Sequence, residues 1–145
     1  MKLAMAFALF ALLGPTVAPS QKGVLGEWTT PNGSVVNIYQ CGKDVCLKVV
    51  AISKQAPSRV DGENPKRALR KRPLCGLEIG HGFHMTSPDH AEDGQLYDPE
   101  SGNTYRGWMT ADGNTLHLRG YIGLSIFGRT ETWMRAQGDV APCRA

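Results

Sequence analysis

The chain has 145 residues, of which 41% are hydrophobic and 20% charged, and its formal net charge is +3. This length suits one globular domain with a hydrophobic core of its own. The composition excludes a disordered chain, because aromatic and branched residues occur throughout. It also excludes a collagen-like chain, because the 17 glycines follow no three-residue period.

Residues 1–20 have the features of a secretory signal peptide. A basic start precedes the apolar run Leu3 to Leu13, which is too short to span a bilayer, and Ala18 and Ser20 are spaced as signal peptidase requires. We therefore expect cleavage after Ser20 and an exported mature domain over 21–145. The alternative is an uncleaved membrane anchor.

The 4 cysteines of an exported chain predict disulfides rather than metal ligands or a nucleophile. Cys41 and Cys46 flank a turn between two β-rich runs, so a hairpin brings them within bridging range. Cys75 then pairs with Cys143 and ties the C-terminal tail to the middle of the chain. Zinc binding is the weaker alternative, because paired C-x-x-C spacing is missing.

Short strand-like runs separated by turn residues follow the signal segment, without a helix-length period. In chain order the runs are Val24 to Thr30, Ser34 to Gln40, Val45 to Ile52, Cys75 to Phe83, Gln95 to Tyr97, Asn103 to Met109, Thr115 to Ile122 and Phe127 to Arg135. A sheet of sequential strands closes on itself with local connections, and closure removes exposed edges. We predict an all-β, antiparallel up-and-down barrel of about eight strands. A β-sandwich is the alternative fold.

One long basic loop interrupts the strands. Ser53 to Pro73 contains seven lysines and arginines against two acids. Because long loops in compact domains are often functional, we consider it a binding surface for an anionic component of the cell envelope. The candidate residues are Arg67, Arg70, Lys71 and Arg72. The simpler interpretation is a solvated connection that keeps the protein soluble. Nucleic acid is not an expected partner, because the patch lacks interleaved aromatic residues.

The later strands supply candidates for a ligand site at a barrel mouth. These are Tyr105, Arg119, Tyr121, Arg129 and Trp133. On the last run Arg129, Glu131 and Trp133 share one face by period two. If this face points inward, its charges require pairing or a bound anion, because a buried unpaired charge is costly. If it faces solvent, Met134 fills the core instead.

An ordered set of motifs covers nearly the whole mature chain and resembles one family. The motifs are Gly26-Glu27-Trp28, Val36 to Tyr39, Cys41-Gly42 with Cys46, Asn64-Pro65, Arg70 to Leu74 before Gly76-Leu77, Tyr97-Asp98-Pro99 with Gly102, Tyr105, Leu116 to Tyr121, and Phe127 to Thr130 with Trp133. Together they resemble the small exported bacterial proteins of domain of unknown function 2147. The resemblance implies a lipocalin-like barrel secreted to the periplasm, and it implies no established activity. Cys75 and Cys143 depart from the family pattern.

Gly26-x-Trp28 also resembles the signature of the calycin group, in which the Trp closes one barrel end under an Arg from the last strand. Arg135 lies where that Arg is expected. A guanidinium over an indole stabilises by roughly 0.5 to 2 kcal/mol. Trp28 and Arg135 are therefore predicted to be structural.

The sequence gives little indication of catalysis. It contains no G-x-S-x-G elbow and no Gly-rich phosphate loop before a helix, and we predict neither an enzyme nor a cofactor. One group of residues has metal-ligand chemistry, namely His81, His84, His90, Asp89, Glu92 and Asp93. We interpret it as solvated loop residues, because two residues separate His81 from His84 and place them on opposite faces of a strand.

These observations predict a periplasmic lipocalin-like protein that binds a small apolar or amphipathic ligand in its barrel, with an anionic head group as one option. The alternative is an envelope interaction protein with a filled barrel. In that case the basic loop docks an anionic partner or a membrane surface.

Overall fold

A computed structural model describes Gly14 and residues 22–144. The expected signal peptide, apart from Gly14, lies outside the described residues. Among the residues described, no helix is long and apolar enough to cross a membrane.

Eight antiparallel strands form one closed barrel, in which each strand pairs with its neighbours in sequence and the last pairs with the first. The strands are β1 (Gly26–Thr29), β2 (Val35–Cys41), β3 (Asp44–Ala51), β4 (Glu78–Ser87), β5 (His90–Asp98), β6 (Asn103–Asp112), β7 (Thr115–Tyr121) and β8 (Arg129–Arg135). Two short 3-10 turns, Arg67–Leu69 and Ser125–Phe127, lie between strands. The predicted all-β up-and-down barrel is confirmed, and the sandwich alternative does not apply.

Strand β4 is shifted, since it runs over Glu78–Ser87 where Cys75 to Phe83 was predicted, and β5 is longer than its predicted run. β5 covers 9 residues, whereas the sequence indicated only Gln95 to Tyr97. Gly94 weakens the strand signal in the sequence, because glycine is a weak strand former. The structure requires it, since a Cβ atom at Gly94 would lie 2.2 Å from the ring of Phe83 on β4. The glycine therefore makes room for the largest apolar side chain of the neighbouring strand.

Both expected disulfides are present. Cys41–Cys46 spans the turn between β2 and β3, and Cys75–Cys143 ties the C-terminal tail to the long connection before β4. The tail also bonds to β3, where the backbone N–H of Cys143 donates to the carbonyl oxygen of Val50 at 2.6 Å. The tail is thus attached to the barrel wall by a covalent bond and a hydrogen bond.

One end of the barrel is closed by Trp28 and Arg135. Trp28 is fully buried, and its Nε1 donates to the Val24 carbonyl at 2.8 Å. The Arg135 guanidinium lies 3.7 Å from the Trp28 ring centroid and donates to the carbonyls of Gly23 and Leu25, each at 2.8 Å. Burial lowers the pKa of Arg135 from its ordinary value. The expected contact between these two residues is therefore present.

The two ends of the barrel differ in how they are covered. At the closed end the connections are tight turns at 42–43, 88–89 and 113–114. At the open end the connections are 30–34, 52–77, 99–102 and 122–128. The longest of these, 52–77, is called the lid below, and it contains the predicted basic loop.

Candidate ligand-binding site

The lid is built around one buried carboxylate. Asp61 is 0% exposed, and its Oδ2 accepts hydrogen bonds from Arg72 Nε at 2.8 Å and from Asn64 Nδ2 at 2.7 Å. Its Oδ1 accepts a hydrogen bond from the hydroxyl of Tyr97 on β5. Asp61, Asn64, Arg72 and Tyr97 are called the Asp61 cluster. Because Tyr97 belongs to the barrel wall, this cluster fastens the lid over the open end.

The Asp61 cluster divides the candidate partner-binding residues. Arg72 forms a salt bridge with Asp61, and Arg70 Nε donates to the Asn64 carbonyl at 2.8 Å. Arg67 and Lys71 are exposed. The lid is consequently an ordered element of the fold rather than a purely solvated connection, and two of its four candidate cations help to order it.

Burial, together with the hydrogen bond to Asp61 and its negative charge, raises the pKa of Tyr97 to about 12. Between the ordinary value of 10.0 and about 12, the folded protein keeps a phenol proton that the unfolded chain releases. Proton loss therefore favours the unfolded chain in this range.

We expect the free energy of unfolding to decrease as the pH rises through this range. Urea unfolding at a series of pH values measures the decrease. Tyr97→Phe, which has no phenol proton, is the matched control and should show a shallower dependence. An equal pH dependence in the two proteins would contradict the assignment.

A cavity of about 620 Å³ lies between the lid and the barrel interior. Its apolar wall includes Val36, Val49, Ile79, Leu96, Leu118 and Trp133. The lid contributes Ala56, Pro57, Val60 and Leu74. This volume and this mixture of apolar wall and few polar groups are typical of small-molecule sites.

The candidate face of β8 points inward. Trp133 is buried and lines the cavity with Arg129 and Glu131, whereas Met134 is 52% exposed and does not fill the core. Trp133 Nε1 donates to Glu131 Oε2 at 3.0 Å, and Arg129 lies 3.4 Å from Glu131 Oε1. Tyr105 also lines the cavity. Three of the five candidate residues, Tyr105, Arg129 and Trp133, are thus brought together.

Arg119 and Tyr121 do not line the cavity, and the expectation that they do is corrected. Both lie on the outer face of β7, because Gly120 between them faces Tyr105 inside. Arg119 donates to the Ser125 carbonyl at 2.9 Å, and Tyr121 packs on Trp108 with ring centroids 5.8 Å apart. Alternation along β7 predicts this, because it places Arg119 and Tyr121 on the face opposite to the inward-facing Leu116 and Leu118.

The contribution of the lid was not predicted from the sequence. Its apolar residues are short and scattered among charges, so no periodicity marks them as a cavity wall. Asp61 carried one weak signal, since it is one of two acids within the basic segment.

The histidines of β4 and β5 each lie near a different acid. His84 lies 3.0 Å from Asp44, His90 lies 3.4 Å from Glu92, and His81 lies 3.9 Å from Glu78. Within 22–144, no group of three or more such side chains has the arrangement of a metal site.

Comparisons with known proteins agree with this architecture. Residues 26–135 match the family described as "Uncharacterized protein conserved in bacteria (DUF2147)". A similar solved structure is that of protein HP1028 from Helicobacter pylori, described as belonging to the lipocalin family. The TM-score is 0.71 at 20% identity, over 81% of this chain and 86% of that chain, and this likeness concerns the fold. No curated protein matches the chain. The chain therefore belongs to the DUF2147 family of uncharacterized bacterial proteins, and its fold is a lipocalin-like barrel.

Proposed function

We propose that the protein binds and carries a small, mostly apolar ligand in the cavity beneath the lid. The observation that carries this proposal is the cavity itself, about 620 Å³ in volume, inside a barrel whose opposite end is closed by Trp28 and Arg135. A lipocalin-like barrel suits ligand binding, and a binding protein agrees better with this fold than an enzyme does. Fold alone does not decide function, and it is the cavity that favours ligand binding here.

The lining favours a ligand with a neutral polar group over one with an anionic head. Five charged residues line the cavity, and four of them are acids: Glu63, Asp98, Glu100 and Glu131. The fifth, Arg129, has a side chain that is 78% exposed and already lies near Glu131. An anionic head group would approach a lining in which carboxylates outnumber cations four to one, which is unfavourable. A hydroxyl or amide group can instead bond to Glu131 or Tyr105.

The disulfides support a place of action outside the cytoplasm. Two disulfides in a bacterial protein indicate an oxidising, extracytoplasmic location. Together with the signal-peptide features of residues 1–20, they support the periplasm as the compartment in which the ligand is carried.

Titration with the neutral apolar probe N-phenyl-1-naphthylamine tests the proposal. Probe fluorescence should rise and saturate at one probe per protein. If the cavity is the site, the bound probe should also quench the fluorescence of Trp133. In Gly120→Leu the new side chain projects into the cavity, where the first contact of a Cβ is Tyr105 at 3.4 Å. We expect affinity to fall at least about tenfold, because the added atoms occupy the volume of the ligand.

The matched control is Thr132→Leu, which adds an apolar side chain at an exposed position on β8. It should leave probe affinity unchanged. Equal affinities in both variants, or no probe binding by the parent protein, would overturn the proposal. Native mass spectrometry of protein purified from its own host, followed by analysis of the released small molecules, would identify the ligand class.

A further inference from the structure

The loop between β7 and β8 exposes an unusual amount of apolar surface. The side chains of Ile122, Leu124, Ile126 and Phe127 are each between 62% and 76% exposed. Single exposed apolar residues are normal in soluble proteins, but a contiguous group marks an interaction site. Residues 122–128 are called the apolar loop.

The apolar loop is held in place by hydrogen bonds. Arg119 Nη2 donates to the Ser125 carbonyl at 2.9 Å, and the N–H groups of Phe127 and Gly128 donate to the carbonyls of Leu124 and Ser125 at 3.1 and 3.2 Å. Its apolar side chains are therefore presented to solvent by an ordered turn. A frayed segment would instead be free to fold them back onto the protein.

The apolar loop and the lid lie on the rim of the same cavity. Gly120 and Arg129, at the two ends of the apolar loop, line the cavity. Ala56 to Ser58 and Val60 of the lid also line it. Ser125 and Ile126 of the apolar loop also border a groove on the outer wall, beside Trp108. A surface that contacts the apolar loop from the open end of the barrel also approaches the lid and the cavity mouth.

Charge is distributed unequally along the barrel axis. The lid contains seven lysines and arginines against two acids, and six of these cations are exposed. Between residue 22 and the C-terminus, the remainder of the chain contains eight lysines and arginines against eleven acids. Asp89 and Asp112 are among these acids and lie at the turns of the closed end. Asp98, Glu100 and Glu131 also lie at the open end, but the seven lid cations outnumber these three acids and the two lid acids together. An anionic surface therefore attracts the lid more strongly than the closed end.

We propose that the open end docks on an anionic phospholipid bilayer. Ile126 and Phe127 enter the boundary between head groups and acyl chains, while the exposed lid cations, among them Arg67 and Lys71, contact lipid phosphates. This combination of apolar anchors and basic residues is how peripheral proteins bind such membranes. A second copy of the chain is a poorer occupant, because two basic lids would face each other and repel.

Docking in this orientation places the cavity mouth against the bilayer. If the cavity carries an apolar ligand, as proposed above, the ligand then passes between protein and bilayer without crossing water. This part rests on the proposed function, whereas the docking itself rests only on the apolar loop and the charge distribution.

Vesicle co-sedimentation of the mature, disulfide-bonded protein tests the docking. Vesicles of phosphatidylethanolamine with phosphatidylglycerol should bind the protein, and vesicles of phosphatidylethanolamine with phosphatidylcholine should bind it far less. Binding should weaken with added salt. Ile126→Ser with Phe127→Ser should lower the partition coefficient at least about tenfold. Arg67→Gln and Lys71→Gln should each lower it about fivefold.

Matched controls lie at the other end of the barrel. Met134→Ser removes an exposed apolar side chain, and Lys43→Gln removes an exposed cation in the turn after β2. Both should leave partition unchanged. N-phenyl-1-naphthylamine titration of every variant reports separately on the cavity, so a failure of ligand binding and a failure of docking are distinguishable.

Three results would overturn the docking proposal. One is the absence of partition onto the phosphatidylglycerol vesicles, and another is an equal loss in the control variants. The third is a concentration-dependent dimer that Phe127→Ser abolishes, without vesicle binding, which would assign the apolar loop to a second copy of the chain.

Discussion

Replacing Asp61 with Ala should lower the free energy of unfolding by about 2 to 4 kcal/mol and release the lid from the barrel. The substitution removes the acceptor shared by Asn64, Arg72 and Tyr97 and leaves the Asn64 amide without its bond to the carboxylate. We place the loss below that of a fully buried ion pair, because Arg72 is 34% exposed and water can solvate it. Urea unfolding measures the energy.

The local consequence of Asp61→Ala is accelerated cleavage of the lid. Trypsin should cut after Arg67 and Lys71 more rapidly than in the parent protein, because proteolysis requires local opening of the chain. Glu63→Ala is the matched control, since Glu63 is an exposed acid in the same lid. Equal cleavage rates in Asp61→Ala and Glu63→Ala would show that the buried carboxylate does not hold the lid.

Replacing Trp28 with Ala should cost about 3 to 5 kcal/mol of stability. The substitution removes a fully buried indole and its bond to Val24, and it takes away the ring on which Arg135 lies. The effect is concentrated at the seam of the barrel, because β1 and β8 pair only through Trp28 with Arg135 and Thr29 with Met134. Amide hydrogen exchange should therefore quicken first in β1 and β8.

Trp108→Ala is the control for this prediction. Trp108 is half-buried on the outer face of the barrel beside Tyr121, so its removal leaves no internal cavity. We expect it to cost less than half as much as Trp28→Ala in urea unfolding. If the two variants lose a comparable free energy of unfolding, closure of the barrel end adds little stability beyond the apolar area that the indole buries.

The fold was predictable because nearly all of its pairings are local. Seven of the eight strand pairs join neighbours in sequence, and six of these seven are joined by connections of seven residues or fewer. Even the pairing of Cys41 with Cys46 follows from one hairpin. Only the β1–β8 seam is distant in sequence, and there the family resemblance of Trp28 and Arg135 supplied the missing information.

The candidate site was less predictable, because it depends on which face of a strand is inside and on contacts across the chain. Alternation placed Arg129 with Trp133 on one face, but alternation alone does not say which face is inward. The Asp61 cluster joins a loop to Tyr97, which is 36 residues away, and no local pattern reports such a contact. Polar bonds of this kind are visible only once the backbone has been placed.

The seam between β1 and β8 also bears on the order in which the barrel is completed. A growing chain releases its N-terminal strand first, and here that strand has no second neighbour until the C-terminal strand arrives. During this interval both unpaired edges can join the edges of other chains. Aggregation during synthesis should therefore depend on how soon β8 is synthesised after β7. A chain that ends before Arg129 has no β8, so the barrel cannot close and two strand edges stay unpaired.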